Sequence, residues 1–95
     1  MDYGRTEPDY LGLLAGVLSK QGNYKDAAEA YRAAIELAPR NPIWYLGLGI
    51  ALRADQHPDA AREAFQRARD LKSLPPELQS YVERQLRELT TPKKK

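Results

Sequence analysis

Ninety-five residues, 42% of them apolar and none of them cysteine, make one small domain that must be held by packing, since disulfides and thiolate metal ligands are excluded. Fifteen Lys+Arg against 13 Asp+Glu leave a formal net charge of +2, spread along the chain, which offers no basic patch of the kind nucleic acid recruits. The longest apolar stretch, around residues 11–18, falls well short of the about 20 residues that cross a bilayer, and residues 1–5 lack the cationic start and apolar middle of a secretory leader.

The first predicted helix opens near Thr6 and Pro8, where Thr6 and Asp9 have capping-box spacing and Pro8 suits a first turn. Tyr10, Leu11, Leu14, Ala15 and Leu18 then recur at helical spacing until Gln21-Gly22 ends the run. Asn23 and Asp26 repeat the cap pattern for a second helix, whose face is Ala27, Ala28, Tyr31, Ala34, Ile35 and Leu37 up to Pro39. Asn41-Pro42 opens a third, with Trp44, Tyr45, Leu48, Ile50, Ala51 and Leu52 running to Asp55-Gln56. A fourth begins near Pro58 and uses Ala61, Ala64, Phe65, Ala68 and Leu71.

After the break at Ser73-Leu74-Pro75-Pro76, Leu78, Tyr81, Val82, Leu86 and Leu89 line one side of a fifth helix, with Gln79, Glu83, Arg87 and Glu88 on the other. One apolar and one polar face suit a lid on the end of a stack. Residues 90–95, ending in three lysines, carry no apolar period and read as a disordered basic tail.

The chain nearly overlays itself at an offset of 34 residues, which aligns Pro8 with Pro42 and Pro76, Leu14 with Leu48 and Val82, and Leu18 with Leu52 and Leu86. A helical unit of about 34 residues that cannot bury its face alone must stack on copies of itself. The repeats are 8–41 and 42–75, the capping helix is 76–89, and residues 1–89 form a single domain.

In this register the chain resembles the tetratricopeptide repeat family. Leu11, Leu14, Ala15 and Leu18 answer Tyr45, Leu48, Gly49 and Leu52 in the first helices of the two units, and Ala27, Tyr31, Ala34 and Pro39 answer Ala61, Phe65, Ala68 and Ser73 in the second. Small residues at 15, 27, 49 and 61 let helices approach while Tyr31 and Phe65 fill the gap between units. The resemblance implies an all-α helical solenoid of five helices. It departs at Ser73 and at His57-Pro58, where the family's usual turn residues are absent.

The resemblance also implies a protein-binding module whose first helices line a concave groove. The places so mapped include Gly12, Gly16, Lys20, Ile43, Leu46, Ile50, Arg53, Arg84 and Arg87, with Leu46 and Ile50 as an apolar strip and the cations as its rim. The expected ligand is an amphipathic or mildly acidic polypeptide segment. The alternative is that Leu46 and Ile50 pack under Leu78 and Tyr81 while Gly12 and Gly16 merely admit Trp44, which leaves a structural spacer or a self-associating homo-oligomer. The family's clamp for chaperone tails is not expected, because Gly12, Gly16, Gly47, Glu77 and Tyr81 occupy its places and none donates as its Lys and Asn do.

Residues 44–52 (WYLGLGIAL) and 74–86 (LPPELQSYVERQL) are similar to the C-terminal region of bacterial MSHA pilus biogenesis proteins. That resemblance implies a fragment of an inner-membrane-anchored protein whose repeats lie in the periplasm and serve a pilus- or secretion-type assembly.

Catalytic chemistry is not expected. His57, with Asp55 and Asp59 nearby, is a lone imidazole without a second strong metal ligand. Gly47-Leu48-Gly49 falls inside a helix with no strand before it, so its amides are committed to the helix and not to a phosphate. Glu29, Glu36, Glu63 and Asp70 fall on solvent-facing positions. No cofactor is implied.

Overall fold

The computed structural model describes residues 7–90. Within them the regular elements are α-helices: α1 Pro8–Lys20, α2 Tyr24–Leu37, α3 Pro42–Ala54, α4 Pro58–Asp70 and α5 Pro76–Thr90. Each of α1, α3 and α4 starts with proline in its first turn, where the missing N–H costs nothing. Thr6 lies outside the described residues; Glu7 is the N-cap of α1, and its side chain makes no cap bond. The Asn23 side chain also makes none at α2, whereas Asn41 Oδ1 accepts from the Ile43 N–H at 2.9 Å and caps α3.

Two of the turns between paired helices close alike. The N–H of Asn23 reaches back to the Leu18 carbonyl and that of His57 to the Leu52 carbonyl, both at 2.9 Å, so the chain must pass through a left-handed residue just before. Gly22 takes that place in the first unit at φ 83°, and Gln56 takes it in the second at φ 66°. The glycine missing from the second turn is thus replaced by a residue that pays a steric cost for the same geometry. Lys72, at φ 58°, does likewise after α4.

Neighbours in sequence are neighbours in space: α1 packs on α2, α2 on α3, α3 on α4 and α4 on α5, and α1 also touches α3. The core is built by small residues at close approaches and aromatics between them. Ala15, Ala27, Ala34, Ala51, Ala61 and Ala68 are fully buried, and Phe65 is the largest fully buried side chain, edge-on to Tyr81 of α5. Three aromatics seat on glycines: a Cβ at Gly12 would collide with the Trp44 ring, one at Gly47 with Tyr31, and one at Gly49 with Phe65 at 2.8 Å. These are knobs that no larger residue would admit.

Three readings are corrected by the structure. Leu37 is half exposed and not part of the α2 face, because it sits in the last turn as the chain leaves the helix, whereas Ala30 two turns inside is buried. Tyr10 and Leu14 are on the outside of α1, not in its buried face. Thr90 belongs to α5 and not to the tail, its hydroxyl donating to the Leu86 carbonyl at 2.5 Å. The remaining tail, residues 91–95, lies outside the described residues. No described helix is long and apolar enough to cross a membrane.

Candidate functional site

The first helices of the successive units, α1, α3 and α5, form one row. Gly12 of α1 receives Trp44 of α3, and Arg53 near the end of α3 reaches α5, where it donates to Glu88 Oε1 at 3.0 Å and to the Gln85 side-chain oxygen. The stack therefore places α5 beside α3 as a third member of the row, packed on α4 as α3 is packed on α2.

The nine candidate groove residues divide on this row. Ile43 and Ile50 are exposed although large and apolar, about two turns apart on α3. Gly16 is partly open, and a Cβ added there would meet no atom of a neighbouring element within 4 Å. Lys20, Arg84 and Arg87 are exposed, and Arg87 lines a cavity with Gln66 and Arg69 of α4. Leu46 is not part of the surface: it is buried in the hydrophobic cluster that includes Leu48, Phe65, Leu74 and Val82, so its methyls cannot meet a ligand. Gly12 is likewise buried, under Trp44. The two glycines expected to share one trough thus do different things.

Arg53 is spoken for by Glu88 and Gln85, a partly exposed bridge that ties α3 to α5 and contributes little to stability, about 0–1 kcal/mol. The sequence reading missed Gln85 and Glu88. The 34-residue offset aligns Arg53 with Arg87, so Glu88 was one position from the same place in the next unit.

The Trp44 indole N–H is buried, and among the described residues it has no hydrogen-bond partner. Tyr31, seated on Gly47, has its phenol pushed above the usual tyrosine range by burial. His57 is exposed, with Nε2 3.2 Å from Asp55 Oδ2. On the other side of the molecule a cleft of about 370 Å³ runs between α2 and α4, floored by Tyr45, Leu48 and Leu52 and edged by Arg32, Glu36, Glu63 and Arg67. Its mixed charges give it no preferred sign of ligand.

Paired antiparallel helices repeated at 34 residues, each unit covering the apolar face of the next, define a helical-repeat protein. A family model for the tetratricopeptide repeat matches residues 13–75, more than half of the chain, and the protein belongs to that family. A comparison with curated proteins finds no match. Tetratricopeptide repeats are a non-catalytic fold that generally mediates contacts between proteins.

Proposed function

We propose that this chain is a binding module that holds an amphipathic or mildly acidic peptide or helix against the α1–α3–α5 row and so scaffolds a bacterial multiprotein assembly. The observation that carries the reading is the pair Ile43 and Ile50: two β-branched side chains of α3 left in water on the row. An apolar strip in that position gains by being covered. Exposed Lys20 and Arg84 favour an acidic companion to the apolar contacts, with Arg53 engaged by Glu88. The pilus- or secretion-type setting rests on the likeness of residues 44–52 and 74–86 to MSHA pilus biogenesis proteins.

The test is fluorescence anisotropy with a labelled acidic amphipathic peptide about 15 residues long, enough for four turns. Ile50→Glu places a like charge in the strip and should weaken binding at least about tenfold, which is 1.4 kcal/mol. Arg32→Glu, on the far side, should leave it unchanged. Binding that survives Ile50→Glu, with the helical circular dichroism intact, refutes the assignment.

A further inference from the structure

The exposed face of α1 has no assigned role. Tyr10, Leu13, Leu14 and Val17 stand on it at the i, i+3, i+4, i+7 spacing of a single helical stripe. All four are exposed, Leu13 at 70%. The molecule shows what such a face is for, because the same positions recur 34 and 68 residues on. In α3 they are Trp44, Gly47, Leu48 and Ala51, of which Leu48 and Ala51 are buried and Gly47 lies under Tyr31 of α2. In α5 they include Tyr81, edge-on to Phe65 of α4, and the fully buried Val82. Twice in the chain, then, this face is covered by a helix joined through a short turn, which runs antiparallel to it.

We propose that on α1 the covering helix is α1 of a second copy of this chain, across a two-fold axis that makes the two helices antiparallel. Two observations single out a second copy. The stripe is self-complementary: it is bounded by exposed Glu7 at one end and exposed Lys20 at the other. Antiparallel pairing centred between Leu13 and Leu14 sets Glu7 of one copy opposite Lys20 of the other, Tyr10 opposite Val17, and Leu13 opposite Leu14, each pair occurring twice. The second observation is the far end of the stack, where α5 turns exposed Gln79, Ser80, Glu83 and Arg84 outward. An apolar face at one end of the stack and a polar one at the other stop end-to-end association at two copies, since the α5 end offers no matching apolar stripe. A single helix pair is a small interface, well below the about 800 Å² per partner of standard complexes, so the dimer is a weak one.

Sedimentation equilibrium over a concentration series tests this. The native chain should pass from monomer to dimer, and Leu13→Glu, at a position outside the core, should remain monomeric with its circular dichroism unchanged. Glu7→Lys and Lys20→Glu should each weaken self-association at least about threefold, because each sets like charges opposite one another. An equimolar mixture of those two variants restores both attractive pairs and should associate more tightly than either alone. A native chain that stays monomeric to about 1 mM overturns the proposal. So does a dimer indifferent to Leu13→Glu, or a mixture no tighter than its components. The readout is self-association and is independent of peptide capture by Ile43 and Ile50.

Discussion

Gly12 and Gly16 lie one turn apart on α1, and the structure predicts opposite responses to the same added methyl. At Gly16 the methyl enters open space, so the change acts through the backbone alone. Alanine is about 0.5–1 kcal/mol better than glycine inside a helix, and Gly16→Ala should stabilise by about that amount. At Gly12 the same gain is set against a collision with the Trp44 ring, which is buried and has nowhere to retreat. Overpacking of this kind costs about 1–3 kcal/mol. With the propensity gain subtracted, Gly12→Ala should destabilise by up to about 2.5 kcal/mol. In a domain of this size one kcal/mol moves the melting temperature by about 4–8 °C, so the two variants should melt on opposite sides of the parent. Urea titration followed by circular dichroism gives the free energies directly. Equal stabilisation by both substitutions would refute the seating of Trp44 on α1, and with it the contact that joins the first unit to the second.

Gln56→Gly should stabilise by about 0.5–1 kcal/mol, because Gln56 holds a left-handed conformation at φ 66° that glycine adopts without a Cβ clash; a lower urea midpoint would contradict this. Phe65→Ala should cost about 3–5 kcal/mol, since it empties the largest fully buried position and removes the edge contact to Tyr81; retention of a parental melting curve would count against the core described. Burial raises the Tyr31 pKa above its ordinary 10.0, so the folded state keeps a proton that the unfolded state loses. Its contribution is therefore complete below about pH 10 and is lost as pH rises toward the folded-state value. Tyr31→Phe should flatten the alkaline limb of a stability–pH profile, and an unchanged limb would speak against the half-buried phenol.

The architecture was legible because a repeat states its own period. Prolines at 8, 42 and 76 mark the starts of α1, α3 and α5, and the alanine and aromatic positions at the 34-residue offset fall at the helix contacts. The surface was less legible, because helical spacing says which residues share a face and not what covers that face. Leu46 and Ile50 are one turn apart on α3, yet one is buried and the other exposed. Gly12 and Gly16 differ for a similar reason: only the distant Trp44 distinguishes them. The cap signals at Asn23 and Asn41 look alike in sequence, but only Asn41 closes its bond. Tyr10 and Leu14 read as core because their equivalents in the second unit are core; in the first unit no preceding helix is present among the described residues to cover them.

The most direct test of the central claim is a proton–nitrogen correlation spectrum of the isotopically labelled chain titrated with the acidic amphipathic peptide. The account predicts perturbations concentrated on Gly16, Ile43, Ile50 and the flanking residues of α1, α3 and α5, weakening as salt is raised. Perturbations confined to the cleft between α2 and α4, or a spectrum unchanged at millimolar peptide, would contradict it.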